Sequence, residues 1–91
     1  MKKIIITKGI VSQKTGNSIT IFDTENSLLY KFNGTATFLF ERIKKGDDYK
    51  IIIEDMIKKF SIDKSLAEKD LTLFIDELIS KGIGKERKNV Y

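Results

Sequence analysis

From Ile19 onward the apolar positions first alternate and then recur at helical spacing, which divides the chain into a strand-bearing third and a helical remainder. Ile19-Thr20-Ile21-Phe22 is β-branched and aromatic. It lies between two stretches rich in turn formers, Lys14-Thr15-Gly16-Asn17 and Thr24-Glu25-Asn26-Ser27. Leu28-Leu29-Tyr30-Lys31-Phe32 sets Leu28, Tyr30 and Phe32 on one face and Leu29 and Lys31 on the other. A strand within Lys8 to Gln13 completes a three-stranded antiparallel meander. Helical period then takes over. Ala36, Leu39, Phe40 and Ile43 form one apolar stripe, with Asn33 as N-cap and Gly46 as C′ residue after Lys44 and Lys45. A second stripe runs through Tyr49, Ile52, Ile53, Met56 and Phe60, capped by Asp47 or Asp48. Ser65-Leu66-Ala67-Glu68 fits a capping box, followed by the stripe Leu71, Phe74, Ile75, Leu78 and the stop Lys81-Gly82. The tail Ile83 to Tyr91 is polar and basic and is expected to fray. The order is three short strands followed by three helices, an α+β fold of winged-helix-like architecture in a single domain over residues 1–91.

Composition narrows the chemistry more than it names it. At 41% hydrophobic and 33% charged, the 91 residues read as an ordinary globular domain. The chain has neither cysteine nor histidine, which excludes disulfides and thiolate metal sites and removes the commonest general base. The carboxylate pairs Asp47-Asp48, Glu54-Asp55 and Asp76-Glu77 are sequence neighbours, and on a helix such neighbours diverge by about 100°. They read as caps and solvated faces; no catalysis, cofactor or metal site is expected. The Ile4-Ile5-Ile6 run behind Lys2 and Lys3 is too short for a signal sequence, and no stretch approaches a membrane span, so a cytoplasmic protein is expected.

Residues from Leu28 to Ile83 resemble the PqqD-like family, also called the RiPP recognition element. An apolar strand runs into Phe32-Asn33 and a small-residue helix entry, Gly34-Thr35-Ala36. Leu39-Phe40-Glu41-Arg42-Ile43 follows and ends at Gly46; a second helix bearing Ile and Phe reaches Phe60. Asp70-Leu71, Phe74-Ile75, Leu78 and Gly82-Ile83 complete the match, which covers about 60% of the chain. The family usually has Leu where Phe32 stands. The resemblance implies a non-catalytic domain that binds the leader of a ribosomal precursor peptide. The leader adds as a strand beside the last meander strand and lies against the third helix. A domain this short would act in trans, presenting the precursor to a maturation enzyme or leader peptidase in a lasso-peptide, sactipeptide or quinone-cofactor pathway.

The residues themselves permit this mode. The last meander strand has an unpaired edge, which is either a template for another strand or an ordinary edge guarded by Lys31. Leu73 lies about 100° from Phe74 and, with Leu66, forms a secondary apolar strip: a groove floor or the flank of a wide core stripe. The candidate peptide-binding set is therefore Leu28, Leu29, Tyr30, Lys31, Phe32, Leu66, Lys69 and Leu73. The alternative is a winged-helix DNA-binding transcriptional regulator, which the net charge of +4 permits. The third helix argues against it. Ser65 to Lys81 has Lys69 and Lys81 against Glu68, Asp70, Asp76 and Glu77, a net −2 that repels phosphate. Positive charge gathers instead in residues 1–34, where five lysines face Asp23 and Glu25, so a basic sheet side would suit an acidic peptide.

Overall fold

Alternating burial along Ser18–Asp23 makes this segment the middle of an antiparallel meander. The computed structural model describes residues 2–87. It has β1 at Ile4–Ile6, β2 at Ile10–Thr15, β3 at Ser18–Asp23 and β4 at Leu28–Asn33. Helices α1 (Thr35–Lys45), α2 (Tyr49–Phe60) and α3 (Lys64–Ser80) follow, then β5 at Gly84–Glu86. The larger sheet has the order β2-β3-β4, so β4 is an edge strand. Ile19 and Ile21 of β3 are buried, opposite Phe32 and Tyr30 of β4. The three helical stripes close over that face: Leu39, Phe40 and Ile43, then Ile52 and Met56, then Leu71, Phe74, Ile75 and Leu78, all in one buried cluster. The meander and helices thus form the expected α+β, winged-helix-like arrangement.

The tail departs from expectation. Ile83 is fully buried, and Gly84–Glu86 pairs antiparallel with β1, Ile5 opposite Lys85. Hydrogen bonds from Thr7 N–H to Ile83 O and from Arg87 N–H to Lys3 O, both 2.8 Å, extend the ladder at each end. Residues 83–87 are therefore tied down instead of frayed, because they complete a strand pair whose other half lies at the opposite end of the chain. Gly84 makes the pairing possible: a Cβ there would stand 2.8 Å from Ile4 Cδ1. The rest of the expected frayed tail, residues 88–91, lies outside the described residues.

Two helix starts also differ. Asn33 ends β4, and its side-chain Oδ1 accepts from Ser18 Oγ at 3.1 Å instead of capping α1. Gly34, at φ 55, turns the chain directly from strand to helix. Buried Thr37 then fixes α1 against the sheet, its hydroxyl within 3.0 Å of Phe32 O and 3.2 Å of Asn17 O. In α3 the cap is Asp63, whose Oδ1 accepts from Leu66 N–H at 2.8 Å. Asp63 is extended (φ −81, ψ 168) and Asp caps as well as Ser, so the helix starts early and Ser65 falls inside its first turn. Asp48 does cap α2, accepting from Lys50 N–H, and Gly46 ends α1 in the left-handed region.

Candidate functional site

Which backbone groups β4 offers to solvent follows from hydrogen-bond parity. Gly34 N–H donates to Asn17 O at 3.0 Å, one pair beyond Asn33 opposite Ser18, so Gly34 and Asn17 form a hydrogen-bonded pair. Hydrogen-bonded and non-bonded pairs alternate in an antiparallel ladder. Phe32, Tyr30 and Leu28 therefore turn their N–H and C=O groups toward β3, whereas Asn33, Lys31 and Leu29 turn theirs outward. The far side of β3 agrees. Thr24 N–H donates to Gly9 O at 3.0 Å, which assigns Phe22, Thr20 and Ser18 to β2 and leaves Asp23, Ile21 and Ile19 for β4. The open edge is thus a row of three outward residues: Leu29, Lys31 and Asn33.

Beside that edge runs α3, antiparallel to β4. Tyr30 Oη lies 3.4 Å from Lys81 O, Lys81 Nζ sits 6.0 Å from the Tyr30 ring centroid, and the rings of Phe32 and Phe74 meet edge-on at 5.4 Å. The five steps from Leu28 to Asn33 span about 17 Å. The contacts of Tyr30 with Lys81 and of Phe32 with Phe74 set them beside the C-terminal half of α3, with Leu66 about 12 Å beyond Phe74. Leu66, Lys69, Asp70, Leu73 and Glu77 recur at three- and four-residue steps on one face of α3. Leu73 and Leu66 stay well exposed, at 57% and 43%, which removes them from the core stripe. Leu73 shares a cavity of about 290 Å³ with Ala36 and Leu39 of α1, bounded by Asp70, Phe74 and Glu77.

The sequence-derived residues take distinct positions here. Leu29 and Lys31 are exposed and present edge backbone, whereas Leu28 and Tyr30 present side chains toward the helices and backbone toward β3. Phe32 is 8% exposed, its ring against Phe74 and Phe40, so it can only serve as floor. Lys69 is exposed on α3. Asn33, Ala36, Asp70 and Glu77 were absent from the sequence-derived set. Asp70 and Glu77 flank Leu73 at helical spacing, the one signal in the sequence that could have found them.

The entry to β4 is held by Asp23. Its carboxylate accepts from Asn26 Nδ2 at 2.8 Å, from Asn26 N–H at 3.1 Å and from Glu25 N–H at 3.0 Å. These bonds, Asn26's first, hold its pKa below the usual carboxylate value of 3.8 against the opposing effect of burial. On the outer face of the sheet the register aligns Val11, Phe22 and Leu29 in one row, 57%, 41% and 68% exposed. Among the described residues no three His, Cys, Asp or Glu gather into a metal site, and no helix is long and apolar enough to cross a membrane. The helix that would enter DNA, α3, holds Lys64 and Lys69 against Glu68, Asp70, Asp76 and Glu77, a net negative charge that repels phosphate.

Among the described residues the chain is a winged-helix-like domain with a β4 edge that no strand covers, beside a third helix that is acidic rather than basic. The profile of the family described as "Coenzyme PQQ synthesis protein D (PqqD)" matches residues 19–83, and the chain belongs to that family. Two solved structures share the fold across nearly the whole chain. One is TbiB1 in complex with the TbiA(beta) leader peptide: 17% identity, TM-score 0.85, covering 98% of this chain and 100% of that one. The other is lasso peptide synthetase B1 complexed with the leader peptide: 16% identity, TM-score 0.84, covering 91% and 98%. No curated protein sequence matches.

Proposed function

We propose that this protein recognises the leader of a ribosomally made precursor peptide by strand addition and presents it to a modifying enzyme or leader peptidase. The observation that carries this reading is the β4 edge: three outward backbone positions on a strand that lies beside the C-terminal half of α3. The two structural neighbours, both complexes with leader peptides, support it. Main-chain bonds along Leu29, Lys31 and Asn33 supply affinity, while alternate leader side chains enter the groove over Phe32 and Phe74 and meet Leu73 and, further along α3, Leu66 and Lys69. The protein itself is non-catalytic and works in the cytoplasm, where the precursor is made.

The test is a polarisation titration with fluorescein-labelled leaders from short open reading frames beside this gene. Saturable binding in the micromolar range, roughly −8 kcal/mol, is expected. Mass spectrometry of the same peptide after incubation with this protein alone should show no change. A leader that fails to bind, or a mass shift without any enzyme added, would overturn the reading. So would sequence-selective nanomolar binding to duplex DNA.

A further inference from the structure

The cavity between α1 and α3 has an apolar floor and an acidic rim. Ala36, Leu39, Leu73 and Phe74 line its walls, and its two charged lining residues are both carboxylates, Asp70 and Glu77. Glu77 already has a cation, Lys81 Nζ at 3.2 Å. Asp70 is only half-exposed and makes no ion pair among the described residues. The cavity lies at the Asn33 end of β4, where Thr37 anchors α1 to the strand and Phe74 packs on Phe32. It therefore continues the groove that flanks the open edge.

We infer that this cavity is the subsite for one basic side chain, Lys or Arg, of the leader. The inference rests on the leader-binding reading above and names the chemistry of one leader position. A long basic side chain is apolar along its stem and charged at its tip. The stem would lie over Ala36, Leu39, Leu73 and Phe74, and the head would meet the Asp70 carboxylate with Glu77 beside it. A purely apolar side chain fills the same floor but leaves Asp70 desolvated without a partner, whereas a leader carboxylate is repelled. Parity separates this position from Lys31, which projects from the opposite face of the sheet beside Thr20. A leader residue turned to the helices at this subsite therefore meets acid, and one turned outward beside Lys31 meets base. Strand addition with this charge code fixes register, since a one-residue slip puts each leader charge on the wrong face.

The experiment displays random peptides long enough to span β4 and selects them on wild-type protein and on Asp70→Asn/Glu77→Gln. Both substitutions are near-isosteric at half-exposed helix positions, and unchanged thermal unfolding confirms an intact fold. The wild-type pool should converge on a motif with Lys or Arg at one position, and the variant pool should keep the motif but lose that preference. Replacing the selected lysine with norleucine, which retains the stem, should weaken wild-type binding about three- to tenfold and leave binding to the variant unaltered. A motif without a basic position, or a basic preference that persists in the variant, overturns the subsite and leaves strand addition standing. Selected peptides whose binding survives Lys31→Pro overturn strand addition itself, and a pool with no motif counts against both.

Discussion

The three-stranded sheet has two free edges, and they have been treated differently. On β2 the parity that leaves Leu29, Lys31 and Asn33 open on β4 leaves Ile10, Ser12 and Lys14. Ile10 N–H is already used, donating to Thr7 O at 3.3 Å. The side chains of Ser12 and Lys14 turn toward the helices and are held by α1: Lys44 Nζ donates to Ser12 Oγ at 2.8 Å, and Lys14 bridges Glu41 at 3.0 Å. An incoming strand beside β2 would find no room for inward side chains without breaking those contacts. On β4 the corresponding space opens onto α3 and the exposed Leu73. Edge strands are a hazard that proteins usually manage with charge and cover. Here one edge is managed and the other is left available. On the proposed reading, the β4 edge is distinguished by its missing protection more than by any residue it contains.

Proline separates the two edges with the largest expected effect. Leu29→Pro and Lys31→Pro each remove an outward N–H, which an edge tolerates, so both variants should fold and lose measurable leader binding. Tyr30→Pro removes an N–H that pairs with β3. Its orphaned acceptor alone should cost about 1–3 kcal/mol of stability, visible in urea unfolding. Ser12→Pro on the opposite edge should fold and bind as wild type. Equal loss of binding from Ser12→Pro and Lys31→Pro would erase the distinction between the edges.

The groove wall comes next. Leu73 is 57% exposed, whereas Leu71, two residues earlier, is fully buried. Leu73→Ala should weaken leader binding by about tenfold, or about 1.4 kcal/mol, and leave stability within about 0.5 kcal/mol. Leu71→Ala should do the reverse, costing about 2–5 kcal/mol of folding free energy. A Leu73→Ala protein that is destabilised like Leu71→Ala would return this residue to the core and close the groove.

These contrasts show what the sequence could convey. Helical stripes and the meander were legible because burial imposes local periods, as at Leu39-Phe40-Ile43 and Ile19-Ile21. The β1–β5 pair was not, since three-residue strands carry almost no period and their partners lie about eighty positions apart. Asn33 and Ser65 were misplaced as caps because good capping residues lay close together, and extended geometry at Asp63, not residue type, selected among them. Candidate edge residues could be named from alternation alone. Which of them faced outward could not, because parity depends on the bond from Gly34 to Asn17. The helical spacing of Asp70 and Glu77 about Leu73 is visible in the sequence, but the cavity they share with α1 is not, because no local pattern brings α1 beside α3.

Acid should loosen the β4 side of the sheet before it affects the β2 side. Asp23 carries a depressed pKa, so its stabilising effect is complete above the usual value of 3.8 and is lost as pH falls through the lower folded value. Leader affinity should show no contribution from Asp23 between about pH 7 and 5. Below about pH 4, amide exchange should quicken at the turn N–H groups of Glu25 and Asn26, ahead of those in β2. Asp23→Asn should already show this faster exchange at neutral pH. Equal protection in the variant and the wild type would mean that the turn is held by its backbone alone.

The smallest effect expected is that of edge charge. Lys31 projects from the outer face beside Thr20 and is exposed, without an ion pair among the described residues; Lys14 on β2 is bound to Glu41. Lys31 is therefore available to a leader carboxylate turned to that face, while Lys14 is not. Exposed pairs contribute about 0.2–1 kcal/mol and are screened by salt. Lys31→Glu should weaken an acidic leader by less than about tenfold at low salt, counting both the lost attraction and the new repulsion. The difference should shrink toward nothing near 1 M salt, where the Debye length falls to about 3 Å. The loss should fall mainly on the association rate, since a rim charge steers the encounter more than it holds the complex. Lys14→Ala should leave both rates as they were. Stopped-flow titrations at two salt concentrations separate these cases, and a Lys31→Glu protein that captures an acidic leader at the wild-type rate would show that the outer face plays no part in steering.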